Sequence, residues 1–558
     1  MSKKIWPLVG ATTLTLLLAA CGGGNDTPAP TGGGGTTPAP APAQPGASAV
    51  AAAGVDASQP AFLRLADTPH NLSWYINFSW FTNPTGTAVH QRIAEDTGIT
   101  IDFVIPAGNA IEQLYTMIAA NTLPDIMTLA WTEPIIAELI DAGMVYAINV
   151  LADRYDPYFW NVANPGRVDW YTSPNGNFYQ IPNQSFSIQD TLDYDISSSL
   201  TFVVRYDMWN ALGRPDMTTP DGFVQTLRDA RDMFPTVDGL PLIPIGLDPF
   251  TSTGNNSLED FLMSYLAIPF VDENGQLIDR QLHPEYIQWL RVFRQLAEEG
   301  LLVDDVFIDQ RVQMDEKVAQ GRYFAMLYQR TDFQTQQMAL YARDPNMIYY
   351  AIPGPRNSAG APHRLPGPTI NGWTVTLVTT NASDPERAVS LLTYLLREEG
   401  QWLTSLGPEG LAFDVVDGRP VERPEIRDMR RYELERHGRE IGANNLFWML
   451  MDSAMQTQWM ETPPPPLDQM HAFNIPYTVN LSEFGFIIPF DSDEFLIAER
   501  AAQLFGTTLP QLLLAPTEEA FDQLWENYVA ERYNLGFERV LELQRAQHAQ
   551  NRTRLGLN

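Results

Sequence analysis

Apolar positions along the body of this chain recur at two spacings that take turns, every second residue and then every third or fourth. In "NLSWYINFSWFTNP" the segment Leu72–Phe78 reads as a strand, followed by a polar turn and a helix ending near Glu95–Gly98. A second strand, "ITIDFVIP", covers Ile99–Pro106. The next helix is capped by Asn109, carries Glu112 in capping-box position, and lines up Ile111, Leu114, Tyr115 and Ile118 on one face. Strand Asp125–Ala130 then runs into "WTEP", where Thr132 suits an N-cap and Pro134 a first helical turn.

The same alternation returns further on. Strand Thr201–Val204 leaves through Arg205 and Tyr206 into a short helix with Asp207 as its cap and Gly213 past its end. Strand Tyr323–Leu327 precedes a helix capped by Asp332. Strand Trp373–Val378 precedes a helix with Ser383 or Asp384 as cap, Pro385 at its start and Gly400 beyond its end. Strands alternating with helices predict an α/β architecture with largely parallel sheets, and the irregular spacing of the units excludes a solenoid. At 558 residues the chain is too long for one core.

The first sixty residues follow a different pattern. Lys3 and Lys4 precede an apolar run, Ile5–Ala20, which as a helix spans about 24 Å, short for a stable membrane span and arranged like a secretory signal. "LAAC", Leu18–Cys21, resembles a bacterial lipobox, which implies cleavage before Cys21 and a diacylglycerol on its sulfur. Gly22 to about Gln59, centred on "TGGGGTTPAPAPAQPG", has too few apolar residues for a core and reads as a flexible, partly polyproline spacer. No later run is apolar enough to span a bilayer.

Composition narrows the chemistry. Cys21 is the single cysteine, so disulfides are excluded, and the 44% hydrophobic content must supply stability by packing. A formal net charge of −32 repels phosphate backbones and anionic headgroups, which argues against nucleic acid and favours a neutral or cationic ligand. No GxxxxGK[ST], GxSxG, HExxH or CxxC occurs, and the seven histidines, His437 and His471 among them, are scattered. "VDENGQLIDR", Val271–Arg280, partly imitates a calcium loop but reads better as a hairpin turning at Asn274-Gly275.

In open α/β sheets ligands sit outside the carboxyl ends of the strands. That rule selects Trp80, Trp131, Glu133, Arg205, Tyr206, Tyr328, Gln329 and Arg330. Aromatic faces beside polar forks suit sugar rings, whose C–H faces stack while their hydroxyls take hydrogen bonds.

Four segments carry a wider resemblance: "PAGNAIEQLYTMIAANTLPDIMTL" from Pro106, "VRYDMWNALGRPDMTTPDGF" from Val204, "NASDPERAVSLLTYLLREEGQWLTSLGPEGLAF" from Asn381 and "FDQLWENYVAERYNLGFERV" from Phe521. In this order, behind lipobox and spacer, the chain resembles the bacterial extracellular solute-binding proteins, lipid-anchored receptors of ABC importers, and within them the large carbohydrate-type subgroup. The resemblance implies a two-lobed periplasmic-binding-protein-like fold, hinged around an interlobe cleft. It implies a signal peptide at 1–20, an anchored linker at 21–60, lobe one at 61–195 plus 370–410, and lobe two at 196–369 plus 411–558.

It further implies a receptor without catalytic residues, cofactor or metal. Such a receptor is a monomer at the cell surface or in the periplasm, touching the membrane only through Cys21, and hands a carbohydrate to permease subunits. Ligand contacts carry over to Trp131, Tyr328 and Trp80; Trp74, Arg330 and Trp373 join them from strand-end or crossover position. A secreted glycoside hydrolase, a sensory module and a peptide receptor are the rival readings, and a structural calcium has no support in the ligand spacing.

Overall fold

The structure is a computed structural model that describes residues 56–107, 110–443, 447–460, 462–489 and 492–557. The signal run, Cys21, most of the spacer and the cap Asn109 lie outside the described residues.

In chain order the strands that matter here are β1 (His70–Ile76), β2 (Ile99–Val104), β3 (Ile126–Ala130), β4 (Ile181–Pro182), β5 (Leu200–Arg205), β6 (Ile243–Gly246), β7 (Tyr323–Gln329), β8 (Tyr349–Ala351), β9 (Leu365–Pro366), β10 (Thr374–Val378) and β11 (Thr478–Val479). They build a five-stranded sheet of order β2-β1-β3-β10-β4 and a four-stranded sheet of order β8-β5-β7-β6. β9 and β11 pair with each other between them.

Both sheets are covered on two faces, and the strands alternate their side chains between separate cores. On β1, Leu72, Trp74 and Ile76 enter one core while Tyr75 enters the other. On β7, Phe324 and Leu327 face one core and Tyr323, Met326 and Tyr328 the opposite one. Helix Pro385–Leu396 starts as its sequence foretells: Pro385 occupies the first turn and the Asp384 carboxylate accepts from the backbone N–H groups of Glu386 and Arg387.

Several expectations change. The sheets are mixed rather than largely parallel: β10 runs antiparallel to β3 and β4, and β5 antiparallel to β7 and β8. Two-sided burial makes parallel and antiparallel central strands look alike in sequence. Thr132 caps nothing, since the helix it precedes starts at Ile135 behind Pro134. Asp207 sits inside the first turn and pairs with Arg205, and Asp332 pairs with Arg311. Gly400 lies within a second helix, Glu398–Leu406, instead of ending the first. Asn274-Gly275 forms the hairpin turn, with Gly275 at φ +77° and the Asp272 carboxylate accepting from the backbone of Asn274 and Gln276. Beyond residue 410, Ala412, Ile426, Ile441 and Phe447–Leu450 share a core with β1 and the helix Pro385–Leu396.

Three stretches of chain run between the sheets, and they hydrogen-bond to one another. The Ser198 hydroxyl donates to Pro366 O (2.6 Å), Thr478 Oγ1 accepts from the Ser198 N–H (2.9 Å), and the Asn474 amide donates to the Ser198 and Leu200 carbonyls. Near the first sheet, Arg167 grips Asp452 with two bonds of 2.6 and 2.7 Å and also donates to Ser185 O, all but buried. Breaking a buried ion pair from one side leaves a desolvated charge. Asp452→Asn is therefore expected to lower stability by about 3–5 kcal/mol, read as a reduced urea midpoint with unchanged slope; a loss below about 1 kcal/mol would contradict the role given to this pair.

Candidate functional site

Strand direction determines which residues share an edge. β1, β3 and β4 end, and β10 begins, on the same side of the first sheet: Ala130 pairs with Thr374 and Pro182 with Val375. Asn77, Phe78, Trp131, Asn183 and Trp373 all emerge there, where the chain crosses to the second sheet. On that sheet β5 begins at this side, opposite the end of β7, with the end of β6 alongside: Leu200 pairs with Gln329, and Gly246 with Met326.

The first edge carries a wall of aromatic rings. Trp80 and Trp373 lie parallel, 5.9 Å between centroids and 8° between planes. Trp448 touches Trp373 at 4.5 Å and Trp80 at 5.8 Å, and Phe78 contacts all three at 5.2 to 5.5 Å. Trp80 is 59% exposed while Trp448 is only 4% exposed, so the wall has a buried foot and an open rim. Trp131 is tied to it through its N–H, which donates to Trp373 O at 3.2 Å.

Asn183 holds this wall in place. Its amide donates to Trp448 O (2.9 Å), its side-chain oxygen accepts from Thr374 N–H (2.8 Å), and its own carbonyl accepts from Trp373 N–H (3.3 Å). Gly372 permits the approach: at φ +71°, a Cβ there would stand 2.0 Å from Asn183 O. Glu133, half-buried at the same edge, has its carboxyl raised above the ordinary range by burial. Burial, with the charge of Glu133 behind it, also pushes the Tyr75 phenol up to about 12.

The second edge is polar. Asp248 follows β6, and Arg311 donates to the Asp332 carboxylate (2.9 Å) and carbonyl (2.7 Å). Burial first, then the Asp332 charge, raises the Asp248 carboxyl to about 6 against a hydrogen bond from Asn256. Arg330 donates from Nε and Nη2 to the carbonyls of Ser198 and Ser197, and burial lowers it to about 10. It clamps a crossing segment.

Among the residues expected to touch ligand, the structure gathers Trp80, Trp131, Glu133 and Trp373 at one edge and leaves others elsewhere. Trp74 is fully buried, its indole N–H donating to Thr128 at 2.9 Å. Tyr328 is fully buried on the β7 face that packs Phe333, so it offers no stacking surface. Arg205 is 2% exposed and engaged by Asp207 and Gly321 O, and Tyr206 packs on Tyr350; because β5 opposes β7, both lie at the far end of the sheet. Trp448, Phe78, Asn183 and Asp248 went unselected. Trp448, within "NNLFWML", is indistinguishable from core by pattern. Among the described residues no group of three His, Cys, Asp or Glu side chains could hold a metal ion, and no helix is long and apolar enough to cross a membrane.

Residues 88–406 match the family model of the bacterial extracellular solute-binding proteins, and the chain belongs to that family. Lipoprotein LipO of Bacillus subtilis is 20% identical over 321 residues, covering 56% of this chain and 61% of LipO. A fructooligosaccharide ABC transporter substrate-binding protein, FusA of Streptococcus pneumoniae, is 22% identical over 236 residues, 40% of this chain and 43% of FusA. The match thus spans less than two thirds of either relative. Among solved structures, Streptococcus pneumoniae FusA in complex with kestose superposes with a TM-score of 0.66 at 16% identity, covering 87% of this chain and all of that one. The alginate-binding protein AlgQ2 without calcium ion gives 0.64 at 15% identity, covering 87% and 98%. The fold is the two-lobed α/β fold of periplasmic solute-binding proteins.

The raised Asp248 carboxyl has a definite sign. An unfolded Asp ionises near 3.8, so between that value and about 6 the unfolded chain sheds its proton first and folded stability falls as pH rises. Asp248→Asn removes that penalty. It should stabilise the protein by about 1–2 kcal/mol near pH 8 and by much less near pH 4, followed by thermal melts at both; a gain equal at the two pH values would contradict this account.

Proposed function

We propose that this protein is a lipid-anchored receptor that captures an oligosaccharide between its two lobes and hands it to the permease of an ABC importer. The observation that carries this reading is the parallel Trp80–Trp373 pair, with Trp448 and Phe78 against it, at the edge where the chain crosses between sheets. Flat apolar faces take the C–H face of a sugar ring, and the polar edge opposite, with Asp248 and the Arg311–Asp332 pair, supplies fixed acceptors and donors for hydroxyls.

Binding on both edges gives the ligand a preference for the closed arrangement, which is the condition for it to drive closure. In this reading one lobe comprises the first sheet with 412–450, the other the second sheet with 493–554. The crossing segments form the hinge, and the protein itself catalyses no reaction. Cys21 carries the anchor at the outer face of a membrane, and the Gly/Pro spacer sets the reach to the permease. The naming of FusA for fructooligosaccharide and of AlgQ2 for alginate supports a carbohydrate as the ligand class.

Calorimetry with kestose, nystose and a panel of glucan, xylan and uronate oligosaccharides tests the assignment, with peptides as controls. Binding to a member of the glycan panel with quenching of tryptophan fluorescence is expected. Trp80→Ala, at an exposed ring, should leave the melting temperature nearly unchanged and weaken binding roughly five- to tenfold. Binding of peptides alone, or turnover of a bound sugar, would overturn the reading. A purified mature protein whose Cys21 is intact and unlipidated by mass spectrometry would remove the anchor.

A further inference from the structure

The two halves of the molecule meet differently on the two faces of the second sheet. On the face that packs Leu340, helix Gln334–Arg343 stands across a cavity of about 680 Å³ from helix Pro424–Tyr432, which is rooted in the first core through Ile426. On that side the halves are apart. The opposite face, where Phe324 and Leu327 point, is covered by helices Asp493–Leu513 and Glu518–Asn534, and the last helix, Phe537–Arg554, packs on both. On this side the halves touch, through the end of that last helix. Arg554 Nη2 donates to the carbonyls of Asp169 (3.0 Å) and Trp170, with Thr172 O at 3.4 Å, and its guanidinium lies over the Trp170 ring, 5.0 Å from the centroid. Those carbonyls close helix Pro165–Tyr171, whose Val168 and Tyr171 pack against the first core; a helix end leaves its last carbonyls without backbone donors and favours a cation. Trp170 and Tyr171 in turn hold the crossing. The indole N–H donates to the Asn371 side-chain oxygen (2.8 Å) and the phenol to Asn371 O (2.6 Å), directly before Gly372 and Trp373. Just before Arg554, the last helix is tied to the segment that leaves β11: Asn551 donates to the carbonyls of Glu483 and Gly485, and Arg552 donates to the Glu483 carboxylate at 2.7 Å.

We propose that Arg554 is a latch across the hinge: clipped to the end of helix Pro165–Tyr171, it holds the halves in the arrangement with the cavity open and so opposes closure. The inference rests on the receptor reading above only in that capture goes with closure. Narrowing the cavity turns the halves about the crossing segments, and the same turn draws apart contacts on the other side of that line. The Arg554 contact is the one that must stretch. Its side chain is exposed, so water replaces the carbonyls at small cost, as a contact that opens in each binding cycle requires. Asn551 and Arg552 bond within the second half and its exit from the crossing, so they keep the helix end in place when the clip is open. A receptor that is only fractionally closed binds with an apparent affinity reduced by that fraction, and the latch therefore weakens binding without touching ligand.

The test pairs small-angle scattering of the purified, sugar-free protein with calorimetry using kestose. Arg554→Ala, and separately a chain ending at Thr553, should each show a smaller radius of gyration than the unaltered protein and bind kestose roughly fivefold more tightly, with the melting temperature nearly unchanged. Arg539→Ala is the control on the same helix: it breaks the pair with Glu494, which lies wholly within the second half, and should move neither readout. Scattering and affinity unchanged in both latch variants, a looser particle, or weaker kestose binding would overturn the latch while leaving the receptor standing; a lowered melting temperature with nothing else altered would make Arg554 a structural contact and overturn it too. Compaction of the latch variants without binding of kestose or of any other glycan would support the latch and overturn the carbohydrate reading.

Discussion

Everything at the cleft depends on three crossing segments that bond to one another before they bond to either sheet. Ser198 is the knot: it touches Pro366 and Thr478, and Asn474 binds its carbonyl. A single connector between two lobes would leave their edges free to turn about it. Three connectors with mutual hydrogen bonds restrict relative motion to bending about the line they share. Arg330 adds to this by donating to the carbonyls of Ser197 and Ser198, so the end of β7 is fixed to the crossing itself.

The crossing also explains why these aromatic residues meet there. A chain that leaves the first sheet after β4 and returns into β10 needs β10 antiparallel to β4, and the start of β10 then lies beside the ends of β1 and β3. Trp373 reaches Trp80 and Trp131 for that reason, from more than two hundred residues away in sequence. Gly372 and Asn183 then bring the two backbones close enough to seat Trp448 under the pair, a geometry a side chain at 372 would forbid.

This distribution marks what was legible in the sequence. Strand and helix positions in the α/β body follow from periodicity, and caps such as Asp384 from local chemistry. For the parallel strands β1 and β3 the carboxyl-end rule names Trp80, Trp131 and Glu133, residues that the structure brings to one edge. On β5 burial on both faces hides strand direction, and Arg205 and Tyr206 lie at the opposite end of the second sheet. Trp74 and Tyr328 are buried in core, and an aromatic inside a doubly covered strand carries the same pattern whether it faces a ligand or a core. Trp448 and Asn183 act through contacts far apart in sequence, which no local spacing records.

The charge distribution has a role that the net value conceals. A formal charge of −32 would exclude acids from any featureless surface. Near the cleft, however, cations are locked in pairs, Arg311 with Asp332 and Arg167 with Asp452, so the local field is set by oriented pairs rather than by the total. Carboxylates that lack such a partner, Asp248 and Glu133, are pushed toward their neutral forms by burial. The charge at these edges therefore follows from burial and pairing residue by residue, and not from the net value.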